Sequence, residues 1–297
     1  MIPAPFDYHR PGTLDEAIGL LSRYGTEAKV LSGGMSLLPA MKLRLGAFGH
    51  LVDIGRIPGL EYIKEENGVL RIGAGTRQCL LERSEVIHSK YGILADAVRL
   101  IADPLVRNRG TIGGNLANGD PANDEPAIAI ALGAEMVARG PGGERTIPAN
   151  RFYEALFTTA LAADEILTEI RIPVPPPRSG GAYRKLKRKT GDFAIVAVAV
   201  HLSLKASGAV ERAGIALTSA GPTPVEAVAA AKFLMEKILN EETIAQAARL
   251  AADAGSPSAD RRGSVEYKRE MARVLATRAL RTALERAGES LHRAGGH

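Results

Sequence analysis

Cysteine is almost absent from this 297-residue chain, where Cys79 stands alone. A single thiol excludes an internal disulfide, a four-cysteine zinc site and an iron–sulfur cluster held by this chain itself. Aromatic residues make up only 4%, and the formal charge is a modest +5 with both signs mixed along the sequence. Nucleic-acid binding needs a clustered basic face, often with stacking aromatics, so no nucleic-acid partner is expected. No run approaches the ~18 consecutive apolar residues of a membrane span. The opening stretch MIPAPFDYHRPGTLDEA lacks the basic-then-apolar order of a secretory signal, and a cytoplasmic chain is the expectation. Familiar site signatures are missing too. There is no G-x-x-x-x-G-K-[ST], no H-E-x-x-H and no G-x-S-x-G, and Gly73-Ala74-Gly75 lacks the third glycine of a Rossmann fingerprint. Six scattered histidines show no metal-ligand spacing.

What is present is an ordinary globular composition, 45% hydrophobic and 24% charged. At roughly 100–200 residues per domain, the length suggests about two domains. Short apolar runs alternate with amphipathic segments, which points to layered helices and sheet. Thr13 and Glu16 form a capping box ahead of Leu14, Ala17, Ile18 and Leu21 at helical spacing. Strands are predicted at 29–31 and 51–54, so residues 1–55 read as a small βαβ-type unit. A hairpin follows around Asn67-Gly68, then a mostly helical stretch over 77–102 and a long turn-rich loop over 103–126. A short helix over 127–132 is predicted next, then a strand over 165–172. The run Pro173-Val174-Pro175-Pro176-Pro177 is the expected boundary, separating a middle unit over 56–175 from a C-terminal unit over 178–287. In the latter, strands are expected from Phe193 to Leu204 and from Gly214 to Thr218. A helix is expected with Thr223 as cap, Pro224 in its first position and Glu226 closing the box. Two more helices are expected, and fraying over the last ten residues.

Three segments carry chemistry. The first runs from the strand Lys29-Val30-Leu31 into Ser32-Gly33-Gly34-Met35-Ser36. Glycines there let successive backbone N–H groups approach an anion closely, and Ser36 adds a hydroxyl; the bland reading is a tight turn. The second is Arg109-Gly110-Thr111-Ile112-Gly113-Gly114-Asn115, another glycine-rich loop with Thr and Asn side chains. Asp124 follows nine residues after Asn115. It suits a ribose hydroxyl, as the acid does in dinucleotide folds, or a helix N-cap. Two phosphate-grade loops together suit a dinucleotide cofactor outside a Rossmann site. The third segment packs five cations into positions 184–189 and ends in Gly191-Asp192-Phe193. A solvated strand edge is its bland reading.

Together these segments resemble one family, the FAD-binding medium subunits of the molybdenum hydroxylases, which share the module of xanthine dehydrogenase. Among them the sequence looks most like the carbon monoxide dehydrogenase medium subunits. The resemblance starts at Phe6-Asp7-Tyr8-His9-Arg10-Pro11 and passes through Ile101-Ala102-Asp103-Pro104. It takes in Thr111-Ile112-Gly113-Gly114-Asn115 with Ala117-Asn118-Gly119-Asp120-Pro121, and then Lys185-Leu186-Lys187-Arg188-Lys189-Thr190-Gly191-Asp192.

The resemblance implies an α+β fold. Two subdomains of the vanillyl-alcohol oxidase type would hold FAD, and a C-terminal α+β domain would close over them. It places Ser32 to Ser36 (Ser32, Gly33, Gly34, Met35, Ser36) with Thr111, Gly113, Gly114 and Asn115 at the pyrophosphate and Asp124 at a ribose, and it counts Lys29 and Leu31 among the cofactor-binding residues. Leu100, Ile101, Leu167, Lys185 and Phe193 would lie near the flavin. The family usually has Ala at the position of Ser32, often a polar residue at Met35 and commonly Tyr at Phe193. Neither change in the first loop removes a backbone donor, but Phe193 lacks the tyrosine hydroxyl.

It further implies non-covalent FAD and an electron-transfer role within a complex. The molybdenum-pterin centre would sit on a large partner subunit and [2Fe-2S] clusters on a small one, in a dimer of heterotrimers. The complex would be cytoplasmic or at the inner face of the membrane. No catalytic side chain and no metal ligand are expected in this chain. The alternatives left open are a medium subunit of a xanthine, aldehyde or aromatic hydroxylase, and a standalone FAD-dependent oxidoreductase.

Overall fold

The computed structural model describes residues 2–294. Its N-terminal layer comprises β1 (Asp7–His9), α1 (Leu14–Tyr24), β2 (Ala28–Leu31), α2 (Leu37–Lys42) and β3 (His50–Asp53). The strands form a parallel sheet in the order β1-β3-β2, with α1 burying Ala17, Ile18 and Leu21. Thr13 caps α1 by accepting from the Glu16 N–H at 3.2 Å, while the Glu16 carboxylate reaches one residue further out, to the Gly12 N–H at 2.7 Å. Chain direction in this sheet delivers the end of β2 straight into the first glycine loop.

Next come β4 (Ile63–Glu66), β5 (Val69–Gly73) and the helices α3 (Gln78–Arg83), α4 (Glu85–Lys90) and α5 (Gly92–Val98). Asn67 and Gly68 both take positive φ, 52° and 76°, the geometry of a tight two-residue hairpin turn. The predicted long loop contains two short helices, α6 (Pro104–Arg107) and α7 (Ile112–Ala117). Each starts on a side-chain cap, Asp103 accepting from Val106 N–H and Thr111 from Gly114 N–H. Asp103-Pro104 is thus a cap followed by proline at the first helical position, not a turn. Then follow α8 (Glu125–Leu132), β6 (Glu135–Gly140), β7 (Gly143–Pro148), the hairpin β8 (Tyr153–Ala155) and β9 (Thr158–Thr159), and β10 (Ile166–Pro173). The antiparallel sheet β4-β5-β10-β6-β7 packs on these helices.

The last layer holds β11 (Ser179–Leu186), β12 (Val196–Leu204), β13 (Val210–Thr218), β14 (Val225–Glu226), α9 (Val228–Leu234), α10 (Glu241–Asp253) and α11 (Val265–Ala294). Its sheet is antiparallel in the order β11-β12-β13-β14. Every residue of β12 is buried because both faces are covered. Val196, Val198, Val200 and Leu202 face the core built by α10 and α11, while Ala197 and Ala199 face the core of the middle sheet. Small residues on that second face let the modules close up. A Cβ on Gly214 would stand 1.9 Å from the Ala131 carbonyl of α8.

Two sequence expectations fail here. Thr223 starts no helix. Val225 and Glu226 pair with Leu217 and Ala216 instead, because the free edge of β13 needs partners and Pro224 fits the start of an edge strand. The strand expected from Phe193 begins at Val196. At the C-terminus α11 ends at Ala294, and residues 295–297, part of the stretch where fraying is expected, lie outside the described residues.

Candidate functional site

The topology brings the two glycine loops into contact although they lie far apart in sequence. A Cβ on Gly33 would stand 2.3 Å from the Arg109 carbonyl oxygen and 2.8 Å from Gly110 Cα, so only glycine permits this approach. Ser32 Oγ and Thr111 Oγ1 are hydrogen-bonded at 2.9 Å across the junction. On its other side the second loop is pressed on the sheet, where a Cβ on Gly113 would lie 2.5 Å from Ala74 Cβ.

The loops differ in what they offer. Among the described residues, no acceptor is found for the backbone N–H groups of Gly33, Gly34, Met35 and Ser36. Gly34 has φ +75°, and the Ser36 side chain makes no cap bond to α2. These are four successive unspent donors in a turn, the kind of backbone that binds anions. The second loop spends its amides within the protein. Gly113 N–H donates to Ala74 O at 2.9 Å, Gly114 N–H to Thr111 Oγ1 at 3.1 Å and Asn115 N–H to Thr111 O at 3.0 Å. Its contribution is close approach, the Thr111 hydroxyl and the Asn115 carboxamide, whose Oδ1 is buried with no partner. Four unspent amides fit a pyrophosphate, and the orphaned carboxamide oxygen, an acceptor, fits a donor such as a hydroxyl of the same ligand.

Asp124 occupies the N-cap position of α8, yet its side chain caps nothing. Instead Oδ1 accepts from Tyr183 OH at 2.7 Å and Oδ2 from Lys185 Nζ at 2.8 Å. Lys185 also donates to the Leu100 carbonyl at 3.3 Å. The Lys185 and Asp124 side chains are only 1% and 7% exposed, so Lys185 is no solvated strand edge. Burial pushes the Asp124 carboxyl above its ordinary range, and the ammonium and the tyrosine hydroxyl pull it back. Sequence reasoning missed Tyr183. The available signal was the period of two along β11, which puts Tyr183 and Lys185 on one face. Arg184, between them, bonds Asp96 of α5 at 3.3 Å, and Arg286 of α11 bonds the same carboxylate at 2.9 Å. Two carboxylates thus clamp the first strand of the last layer onto the middle layer.

The remaining candidates are placed as follows. Leu31 packs under the first loop, 3.2 Å from the position of a Cβ on Gly34. Lys29 points outward, its ammonium 5.9 Å from the Phe48 ring centroid. Ile101 is buried and its carbonyl accepts from Arg107 Nη1 at 3.0 Å. Gly191 turns with φ +86° beside Ala102 and presents Phe193, which is 46% exposed and so is no core residue. Leu167 lies in the core as a residue of β10, and its neighbour Thr168 is linked to the second loop by backbone bonds, Ala74 N–H to Thr168 O and Gly113 N–H to Ala74 O. A cleft of about 450 Å³ lies elsewhere, by the start of α1. The buried Glu169 in its wall is saturated by Tyr62, Arg71 and Arg171, a structural arrangement. Among the described residues, no group of three or more metal-ligating side chains converges, and no helix is long and apolar enough to cross a membrane.

Comparison with known proteins gives this arrangement a family. The model of the FAD binding domain in molybdopterin dehydrogenase matches residues 4–175, and that of the CO dehydrogenase flavoprotein C-terminal domain matches residues 181–283. The carbon monoxide dehydrogenase medium chain of Hydrogenophaga pseudoflava is 44% identical over 286 residues, 96% of this chain and 99% of that protein. The medium chain from Afipia carboxidovorans is 45% identical, covering 97% of this chain and 99% of its own length. The solved carbon monoxide dehydrogenase of H. pseudoflava that lacks the Mo-pyranopterin moiety superimposes with a TM-score of 0.94 at 46% identity, over 96% of this chain and 99% of that one. Matched across its FAD-binding and C-terminal parts alike, the chain belongs to the FAD-binding medium subunits of the molybdenum hydroxylases, in the branch of the carbon monoxide dehydrogenase flavoproteins.

Proposed function

We propose that this flavoprotein subunit receives electrons from [2Fe-2S] clusters on a small partner, reduced in turn by a molybdenum-pterin large partner, and hands them to an external acceptor. Carbon monoxide is the primary substrate that its relatives favour. The reading is carried by one observation, the contact between two glycine loops that leaves four amides unspent on the first. When bound, FAD supplies the capacity to take up and release electrons singly or in pairs. The chain's own residues bind and orient. The amides of Gly33 to Ser36 hold the pyrophosphate without a covalent anchor, with Thr111 and Asn115 opposite. Asp124, held by Lys185 and Tyr183, keeps acceptor capacity for a ribose hydroxyl, since a carboxylate has about four lone-pair sites. The Leu100–Ile101 segment and Phe193 border the flavin ring and limit water around it.

The test is the purified, FAD-loaded chain mixed with carbon monoxide, purines and aldehydes in the presence of an electron-accepting dye. No substrate-dependent turnover is expected until the partner subunits are added. Turnover by the chain alone would establish a standalone oxidoreductase in place of this reading.

Phe193→Ala gives a finer check. Aromatic stacking contributes about 0.5–1.5 kcal/mol beyond area burial, too little to decide whether FAD binds. Near-full FAD occupancy with altered rates toward oxygen or dyes is expected. An unchanged flavin spectrum, potential and set of acceptor rates would remove Phe193 from the site.

A further inference from the structure

Glu125 is a second acid at the start of α8, one residue beyond Asp124, and only 2% exposed. Lys185, which pairs with the neighbouring Asp124, makes no ion pair with Glu125. Apolar side chains of Leu94, Ile112, Leu116, Ile128 and Ile170 line the space beside Glu125. A single donor meets its carboxyl group, Gln78 Nε2 to Glu125 Oε2 at 2.8 Å. The second carboxylate oxygen, Glu125 Oε1, and the carboxamide oxygen, Gln78 Oε1, are both buried with no hydrogen-bond partner.

A single proton on the carboxyl group answers both deficits at once. A carboxylate is acceptor-only, and the Gln78 oxygen is another acceptor. One proton on Glu125 Oε1 turns the pair into a carboxylic acid facing a primary carboxamide. These close a ring of two hydrogen bonds, N–H to one oxygen and O–H to the other. An unpaired buried carboxylate is costly, and a group so placed neutralises instead. The charged and titratable groups around it agree. The Asp124 carboxylate adjoins it, and Tyr153 of β8 and Tyr183 of β11 contribute neutral hydroxyls held far above their ordinary range by burial. Burial and Asp124 push the Glu125 carboxyl well above the ordinary glutamate range, against the pull of Gln78.

Gln78 is more than a passive donor. Its backbone N–H donates to Gly110 O at 2.9 Å, and its neighbour Arg77 bridges Thr111. The side-chain pair therefore ties the start of α8, which carries Asp124, to the strand-like entry of the second glycine loop. We propose that Glu125 is a neutral acid locked to Gln78 by two hydrogen bonds, and that this pair is a positioning device setting Asp124 against the second loop. The positioning part rests on the reading of these loops as the FAD cradle.

A group whose folded-state pKa is raised gives a contribution that is complete below the ordinary glutamate range and is lost as pH rises toward the folded value. Deprotonation also breaks the O–H bond of the ring that positions Asp124, so FAD affinity should weaken on the alkaline side. Glu125→Gln, whose carboxamide can form the same two-bond ring, should bind FAD within about twofold of the unmodified chain at neutral pH and lose the alkaline weakening. Glu125→Leu strands the Gln78 carboxamide and should weaken FAD binding about tenfold at every pH.

The direct readout is the infrared carbonyl band of a buried neutral carboxylic acid in the FAD-loaded protein at neutral pH. The band should be present, and absent from Glu125→Gln. Titrating it upward in the unmodified protein should remove it together with FAD affinity, which gives the result without any variant. No such band at neutral pH overturns the neutral acid. A band that disappears on titration while FAD affinity stays level overturns the positioning role. Normal flavin content in loop variants, with the band intact, would instead count against the cradle.

Discussion

Gly34→Asp is expected to yield a folded chain without flavin. Gly34 sits in the left-handed region at φ +75°, where a side chain is strained by roughly 1 kcal/mol or more. The Cβ itself would meet only the flexible ends of Leu38 and Leu31, at 3.0 and 3.2 Å, so the surrounding fold can adjust. The carboxylate is the decisive change. It would sit among the four unspent amides of Gly33 to Ser36 and compete for them directly. A charge about 5 Å from a phosphate, at an effective dielectric constant near 20, costs about 3 kcal/mol per phosphate charge. For a single phosphate charge that weakens binding by roughly a hundredfold or more, while the strain falls on the stability of the free and the loaded chain alike. Circular dichroism should report an intact fold and the visible spectrum no bound flavin. Normal occupancy would reduce the loop to a turn. Gly113→Asp should also lose flavin, but by a different route: its Cβ would lie 2.5 Å from Ala74 Cβ, so this change displaces the loop from the sheet.

The second large effect is on stability. Asp124→Ala removes the acceptor from Lys185, whose side chain is 1% exposed, and from Tyr183 OH. Deleting one partner of a buried ion pair costs about 3–5 kcal/mol, because the other charge stays buried without compensation. That exceeds the roughly 1.5–3 kcal/mol of a single charged hydrogen bond to a ribose. The variant should therefore lose stability against urea even before flavin is considered. Removing the orphan as well, in Asp124→Ala with Lys185→Met, should restore a good part of the loss. If Asp124→Ala alone costs less than about 1 kcal/mol, the clamp between the layers does not depend on this pair.

These two sites show where the sequence was readable and where it was not. The first loop announces itself, because a strand ending in Ser-Gly-Gly has few uses and its amides are local. Asp124 stands out as an acid just before an apolar helix, and both a cap and a ribose contact suit that position. Its actual partners come from β11, about sixty residues away, and no local pattern encodes such a pairing. The same limit explains the second loop. Glycines and Thr111 read as turn chemistry, but Ala74 sits close enough to accept from Gly113, and the segment coils into α7. Thr223-Pro224 reads as a helix start on every local rule, and the open edge of β13 overrides it. Glu125 could not be told from a surface acid by sequence, because all eight positions of α8 are buried only once β12 and β13 cover them.

The flavin content of the purified chain after acid precipitation tests the central claim most directly. Acid unfolds the protein and frees any ligand held only by hydrogen bonds and charge. The account predicts close to one FAD per chain, all of it in the supernatant. Flavin retained in the pellet would mean a covalent anchor, and a chain that takes up no FAD when offered it would contradict the cradle formed by the two glycine loops.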